Sequence, residues 1–179
     1  MAGKPQKSEK LNNTLIKVVK KFEERGIKNW FLAYGTLLGI ARENSCIDGD
    51  DDIDICLDFQ EWESGRDALE SIGKTRVVHM QKGNLNSSVR FMRLFASKNN
   101  LDVDIYVCDV SRFNNYYDMH EKVIWQNCTP FEKIKWRDVT LQLPKDYINK
   151  LKNRYGDTWN ERIERGTPSG DGFRRHVLL

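Results

Sequence analysis

The residues of this sequence best suited to chemistry lie between Asp48 and Leu57, in the stretch D-G-D-D-D-I-D-I-C-L. From Asp52 onward, aspartates alternate with apolar residues, which is the pattern of a half-buried β-strand. Side chains of a strand alternate between faces, so Asp52 and Asp54 are predicted to lie side by side on one face. Two adjacent carboxylates repel each other, and a bound cation relieves that repulsion. Mg²⁺ is the natural candidate, since it prefers oxygen ligands and commonly completes its shell with water and substrate phosphates.

Two other interpretations of this stretch compete with a catalytic metal site. An acid-rich segment beside a glycine is often a solvated turn, but Asp52 and Asp54 interrupt an apolar run although aspartate is a poor strand former. A calcium-binding loop fails on spacing. Counted from Asp48, the required glycine at the sixth position is Ile53, and the required glutamate at the twelfth is Phe59. The catalytic metal site is therefore favoured over both.

A second acidic run, L-D-V-D-I-Y-V-C-D, places Asp102 and Asp104 on one face of another apolar strand. A third carboxylate is therefore available to the predicted site. The preceding predicted strand, over residues 88–96, carries Arg90 and Arg93 on opposite faces. Either arginine could contact a substrate phosphate or pair with a neighbouring aspartate.

Upstream of the first acidic strand, a short buried strand is predicted from Trp30 to Tyr34, followed by a turn at Gly35 and Thr36 and then a helix. The free N–H groups at the start of a helix could bind a phosphate. A glycine at such a turn can also serve only for its backbone freedom. About a dozen residues separate the turn from Asp52, so a short helix could bring the turn and the carboxylates to one cleft.

The remaining elements follow from periodicity and turn residues. Residues 111–130 are rich in Tyr and Asn without a clear period, and we predict a loop with one helix there. The last helix is expected to turn four side chains inward, namely Tyr147, Ile148, Leu151 and Tyr155. The other predicted elements are helices over 8–25 and 60–72, strands over 76–80, 88–96 and 101–108, and a hairpin over 131–143 that turns near 137–138.

Length and composition limit the class of protein. A chain of 179 residues is expected to form one domain. No apolar run is long enough for a transmembrane segment and the N-terminus is too polar for a signal peptide, so we expect a cytoplasmic protein unless an anchor or signal has been removed. The net charge is +3, and no basic patch is interleaved with aromatic residues, so nucleic-acid binding is not expected. The four cysteines lack metal-ligand spacing and are predicted to be reduced, partly buried thiols.

Four motifs in order resemble a known family. The segments F-L-A-Y-G-T-L-L-G-I-A-R, D-D-D-I-D-I, V-D-I-Y-V-C-D and L-P-K-D-Y-I-N-K-L-K-N-R-Y-G-D closely resemble the LicD and fukutin-related group of the nucleotidyltransferase fold, over about residues 30–157. The resemblance implies an α+β fold with a central mixed sheet flanked by helices. We expect this domain over residues 1–160, and the polar, glycine-rich composition that follows predicts a tail over 161–179. The resemblance also implies that Asp52, Asp54 and Asp104 bind metal, with Gly35 and Thr36 in the family's G-T turn.

Known members of this family move a group such as phosphocholine or ribitol phosphate from a cytidine diphosphate (CDP) carrier to a sugar hydroxyl. The resemblance therefore implies a CDP-linked or other nucleotide substrate and a sugar or glycan acceptor. In such chemistry two Mg²⁺ or Mn²⁺ ions, about 3.5–4 Å apart, can neutralise the phosphate charge and activate the hydroxyl. Asp52 and Asp54 would bridge the ions, and Asp104 would bind the attacking-side ion and accept the hydroxyl proton. Arg42 is the first candidate for a phosphate contact, and a surface salt bridge is the alternative for it.

Two other functions stay open at this stage. The same site could act as a nucleotidyltransferase that places a nucleoside monophosphate on a small molecule or a protein. The chain could also be a non-catalytic module that binds nucleotide or metal. The presence of all three aspartates argues against that last function, because a degenerate site usually loses a ligand. The released product separates the first two, since phosphotransfer releases a nucleoside monophosphate and nucleotidyl transfer releases pyrophosphate.

Overall fold

The apolar stripe near the start of the sequence forms helix α1 (Pro5–Glu24). The structure is a computed structural model that describes residues 5–79, 89–98, 101–162 and 178–179. Gly26 follows α1 with a φ of 68°, a left-handed conformation that glycine adopts without strain. The stripe that α1 buries is fully enclosed and consists of Leu11, Leu15, Val18, Val19 and Phe22. The predicted first helix is therefore confirmed, with its start three residues earlier.

The main sheet is mixed. Its strands are β1 (Trp30–Leu32), β2 (Asp52–Asp58), β3 (Thr75–His79), β4 (Val89–Leu94), β5 (Asp102–Val110), β6 (Tyr116–Asp118) and β7 (Val123–Trp125). They lie in the order β1-β2-β5-β4-β3, and β6 and β7 continue the sheet from β5. Strands β2 and β5 pair in parallel, and the other pairs of this sheet are antiparallel. Residues 80 and 88, which we predicted to lie in strands, fall outside the described residues.

Helices and a hairpin cover this sheet. They are α2 (Tyr34–Glu43), a 3-10 turn (Phe59–Glu61), α3 (Trp62–Glu70), β8 (Glu132–Trp136), β9 (Val139–Leu143) and α4 (Tyr147–Tyr155). The buried apolar side chains form one core that includes residues from the sheet, the helices and the hairpin. The predicted α+β fold with a mixed sheet and helices in a single domain is confirmed. The four cysteines are buried and unpaired, as the sequence predicted.

The prediction for residues 111–130 was wrong. This segment contains the two short strands β6 and β7 instead of a helix. A strand of three residues is too short to show a period in the sequence, and here tertiary contacts define it. Tyr116 and Trp125 lie opposite each other in these strands and are almost completely buried.

A second correction concerns the inward face of α4. Leu151 is buried as predicted, but Ile148 is 36% exposed and Lys150 is buried in its place. Residues 147, 150, 151 and 154 share one side of a helix, whereas residue 148 lies about 100° around the axis from residue 147. Gly156 ends the helix as predicted. Residues 163–177 of the predicted polar tail fall outside the described residues.

Candidate active site

The parallel pairing of β2 and β5 brings the two acidic runs of the sequence together. In this register Asp52 lies beside Asp102, and Asp54 lies beside Asp104. Register partners on adjacent strands share a face of the sheet, so all four aspartates point to the same side. The isoleucines and valines that alternate with them enter the core on the other side, where Ile53 and other partners are fully buried.

Three of these aspartates converge. One carboxylate oxygen from each of Asp52, Asp54 and Asp104 lies within 4.8 Å of the other two. Asp54 and Asp104 are buried, with 7% and 3% exposure, whereas Asp52 is partly exposed. The cluster therefore has two carboxylates at its base and one toward solvent. Asp50 and Asp51 form a second close group with Asp52 at the entrance.

Helix α2 fixes the orientation of Asp54. The Gly35 N–H donates to Asp54 Oδ2 at 3.0 Å, and the Asp54 N–H donates to Thr36 Oγ1 at 2.8 Å. A carboxylate at the first turn of a helix also interacts favourably with the helix dipole. A Cβ at residue 35 would lie 2.8 Å from Asp50 Oδ2 and 3.3 Å from Asp54 Oδ2, so one of these carboxylates would have to move to admit a side chain. Glycine at this position therefore leaves room for the two carboxylates.

The structure modifies the predicted turn at Gly35 and Thr36. Helix α2 begins at Tyr34, so both residues belong to its first turn, and Ala33 precedes it in an extended conformation. The Leu37 N–H donates to the Ala33 carbonyl at 2.8 Å, which closes this first turn. Because the Gly35 N–H already contacts Asp54, a phosphate contact by this group stays a prediction.

Arg93 is a basic residue that contacts the aspartate cluster. Its guanidinium forms a two-pronged contact through Nε and Nη2 with both oxygens of Asp104. Arg93 Nη2 also lies 3.5 Å from Asp52 Oδ2, and Nη1 lies 3.7 Å from Asp102 Oδ2. Of the two roles that the sequence left open for this arginine, the structure shows pairing with aspartates.

Arg42 has different partners. Its Nε and Nη2 donate to Glu43 Oε1 at 3.0 and 2.6 Å, and its Nη1 lies 3.5 Å from the Glu161 carbonyl oxygen. The structure therefore shows the salt bridge that was the alternative for Arg42. A phosphate contact by Arg42 stays a prediction.

Burial and mutual repulsion shape the electrostatics of the cluster. Burial first, and then the charges of Asp104 and Asp50, raise the pKa of Asp52 to about 6. Burial and Asp52 raise the pKa of Asp54 well above its usual range. Burial also raises the pKa of Asp104, although the hydrogen bonds from Arg93 oppose that shift. Groups with pKa values raised in this way favour either a proton or a cation.

The three oxygens suit a divalent ion. Two oxygens bound to one Mg²⁺ lie about 3–4 Å apart when each is about 2.1 Å from the ion. Oxygens already within 4.8 Å of one another need only small side-chain movements to reach that arrangement. Asp52, Asp54 and Asp104 are thus the residues that could hold a metal, and their assignment as ligands stays a prediction.

Two residues of this face were missed by sequence reasoning. Tyr106 follows Asp104 by two residues on the same face of β5, and its hydroxyl donates to Asp54 Oδ1 at 3.1 Å. The alternation that identified Asp104 could have identified Tyr106. His120 stacks on Phe91 with ring centroids 4.4 Å apart. It lies in a segment without periodicity, so no signal in the sequence pointed to it.

The aromatic residues beside the cluster form a connected wall. Tyr34 packs against Tyr106 with ring centroids 4.8 Å apart, and Phe91 packs against Tyr106 at 5.5 Å. The Tyr34 hydroxyl donates to Asp118, and Asp118 also accepts the N–H groups of His120 and Glu121. These contacts join the start of α2 to β6 and hold the aromatic wall next to the carboxylates.

Comparisons with known proteins agree with this architecture. A family model described as LicD/FKTN/FKRP, nucleotidyltransferase domain, matches residues 27–153. The structure is similar to the lincosamide antibiotic adenylyltransferase LnuA in its lincomycin-bound crystal structure, with 16% identity over 84% of this chain and 86% of that chain and a TM-score of 0.53. It is also similar to ANT(2'')-Ia in complex with adenylyl-2''-tobramycin, with 16% identity over 79% and 76% of the two chains and a TM-score of 0.46. Comparison with curated protein sequences gives no match.

The likeness to the lincosamide enzyme confirms the predicted nucleotidyltransferase fold. At such low identity it shows the fold alone. Across the described residues, none of the helices combines the length and apolar character needed to span a bilayer.

Proposed function

The chain belongs to the LicD/FKTN/FKRP family of nucleotidyltransferase domains, and we propose that within it the protein is a metal-dependent phosphotransferase. As a member, it is a transferase of phosphorus-containing groups. The proposed reaction moves a phospho-substituent, such as a phosphocholine or an alditol phosphate, from a CDP-linked donor to a hydroxyl of a sugar or glycan. A bond forms between the acceptor oxygen and phosphorus, the pyrophosphate P–O bond breaks, and cytidine monophosphate (CMP) leaves.

The convergence of Asp52, Asp54 and Asp104 is the observation that carries this proposal. Three carboxylates on two adjacent strands are costly for a fold, because burial, together with the charge of Asp104, raises the pKa of both Asp52 and Asp54. Such an arrangement is expected where a divalent ion is to be bound. When bound, Mg²⁺ or Mn²⁺ would neutralise phosphate charge and lower the pKa of the acceptor hydroxyl.

The protein groups around the cluster have distinct tasks in this proposal. Gly35 N–H and the Tyr106 hydroxyl orient the two oxygens of Asp54, so this ligand is held in place before substrate binds. The positive end of the α2 dipole favours a negatively charged group nearby. Asp104 receives the hydroxyl proton of the acceptor, and it can do so only when Arg93 no longer occupies both of its oxygens.

The test is the product released from a panel of nucleotide donors. The protein is incubated with CDP-linked conjugates, sugar acceptors and Mg²⁺ or Mn²⁺, and free CMP is measured. Asp54→Asn should abolish CMP release, whereas Asp109→Asn, which removes an exposed carboxylate farther along β5, should not. Release of pyrophosphate from a nucleoside triphosphate, with no CMP from any conjugate, would instead identify nucleotidyl transfer. Binding of nucleotide without either product would identify a non-catalytic module.

A further inference from the structure

Arg93 places a positive charge of the chain itself beside the carboxylates that we propose as metal ligands. The guanidinium of Arg93 contacts both oxygens of Asp104 and lies 3.5 Å from Asp52 Oδ2. Antiparallel pairing of β4 with β5 sets Arg93 directly opposite Asp104, so this contact is built into the sheet. Two of the three proposed ligands therefore face a positive charge of the chain itself.

This contact cannot persist unchanged beside a bound divalent ion. Asp104 is 3% exposed and both of its oxygens are engaged by Arg93. A metal ion at the cluster needs one of these oxygens, and it repels a guanidinium a few ångströms away. The side chain of Arg93 is 37% exposed, so it has room to rotate away from Asp104.

Asp102 provides the place to which Arg93 can move. Asp102 Oδ2 lies 3.7 Å from Arg93 Nη1, and the other oxygen of Asp102 is held by the Ala96 N–H. Asp102 is adjacent to Asp52 in the sheet register but is not among the three converging ligands. A guanidinium that leaves Asp104 therefore keeps a counter-charge within reach, which lowers the cost of its release.

We propose that Arg93 is an exchangeable counter-ion, which neutralises Asp104 in the metal-free protein and competes with the metal until it is displaced toward Asp102. This proposal rests on the proposed metal-dependent function. In this proposal Arg93 lowers the affinity of the site for metal, whereas a residue that positions the ligands raises it. Loss of a positioning residue weakens metal binding, whereas loss of a competitor strengthens it.

The test is Mn²⁺ binding without nucleotide, measured by the electron paramagnetic resonance signal of free Mn²⁺. Arg93→Gln should bind Mn²⁺ about 10- to 100-fold more tightly than the wild type, as expected when a charge-assisted pair no longer has to be broken. Arg76→Gln is the matched control, since Arg76 faces Arg93 across β3 and β4 but is an exposed residue. It removes the same charge from the same region, and it should change affinity by less than about threefold.

The outcomes separate this proposal from the proposed function. Equal or weaker Mn²⁺ binding by Arg93→Gln would overturn the competition, and so would an equal gain in Arg76→Gln. If Arg93→Gln fails to fold, Arg93→Lys replaces it, because lysine cannot form the two-pronged contact and should also bind Mn²⁺ more tightly. Failure of the proposed metal site would give a different result. In that case, wild type and Asp54→Asn would bind Mn²⁺ equally.

Discussion

Replacement of Asp54 by asparagine tests whether this buried carboxylate exists to hold metal or to hold the fold. The change keeps the shape of the side chain and removes its charge. Asp54 accepts one hydrogen bond on each oxygen, from Tyr106 and from the Gly35 N–H. Asparagine has a single acceptor oxygen, so one of these donors loses its partner, at a cost of about 1–3 kcal/mol.

Relief of repulsion acts in the opposite direction. The oxygens of the cluster lie within 4.8 Å of one another. At an effective dielectric constant of about 20, two fully ionised carboxylates at such a separation repel by about 3 kcal/mol at most, and the raised pKa values of Asp52 and Asp54 lower that figure. The two contributions roughly cancel, so the metal-free Asp54→Asn protein should be as stable as the wild type or slightly more stable. About 1 kcal/mol corresponds to about 2–4 °C in Tm for a chain of this size.

The assay is a set of thermal melts at neutral pH for wild type, Asp54→Asn and the control Asp109→Asn, each with and without Mn²⁺ and a cytidine nucleotide. Ligand at about 100 times its Kd stabilises a protein by about 2.7 kcal/mol, which here corresponds to about 5–11 °C. Wild type and Asp109→Asn should show this shift, and Asp54→Asn should lose most of it. The turnover of Asp54→Asn should fall by about three orders of magnitude or more.

A structural aspartate would give the reverse pattern. A metal-binding role for Asp54 is ruled out if Asp54→Asn melts more than about 8 °C below the wild type without metal and still gains the full shift with it. That result would mean that the hydrogen bonds of Asp54 outweigh its repulsion and that the metal binds elsewhere.

Three further predictions follow from the same contacts. Because the pKa of Asp52 is raised to about 6, the folded state holds the proton of Asp52 more tightly than the unfolded chain does. The free energy of unfolding of the metal-free protein, measured by urea denaturation, should therefore fall as pH rises from about 5 to 7. An unchanged or rising stability over that interval would contradict the shift. Gly35→Ala should retain the fold but bind Mn²⁺ at least about tenfold more weakly, because the added Cβ would displace Asp50 or Asp54. An unchanged affinity in a Mn²⁺ titration would contradict this prediction. Tyr106→Phe should weaken Mn²⁺ binding by about tenfold in the same titration because Asp54 loses an orienting donor, and tighter binding would argue against that role.

The acidic strand could be predicted from the sequence because its signal is local. Alternation of acid and apolar residues over seven positions determines which side chains of β2 share a face. The choice of a third ligand could not be derived in this way, since Asp102 and Asp104 share a face of β5. Only the long-range register, in which Asp54 lies beside Asp104, brings Asp104 to the cluster. From the sequence alone, the choice of Asp104 rested on the family resemblance.

Side-chain partners were harder to predict than strands. Arg93 was recognised as a candidate, but its choice between aspartate and phosphate depends on the pairing of β4 with β5, which no local pattern encodes. The strands that carry Tyr116 and Trp125 have three residues each, and contacts distant in sequence define them. The start of α2 was placed three residues too late because Tyr34 adopts a positive φ of 41°, an uncommon conformation for a tyrosine.

The supports of the two buried carboxylates differ in kind, and this difference has a functional consequence. Asp54 is held by a backbone N–H in the first turn of α2 and by a buried tyrosine, neither of which can move without disturbing the core. Asp104 is held by Arg93, a partly exposed side chain that has a second acidic partner nearby. One proposed ligand is therefore fixed by the fold, whereas the other can exchange its partner. If the proposed metal site is correct, Asp54 would define the position of the ion, and Arg93 would adjust the strength of binding by competing for Asp104.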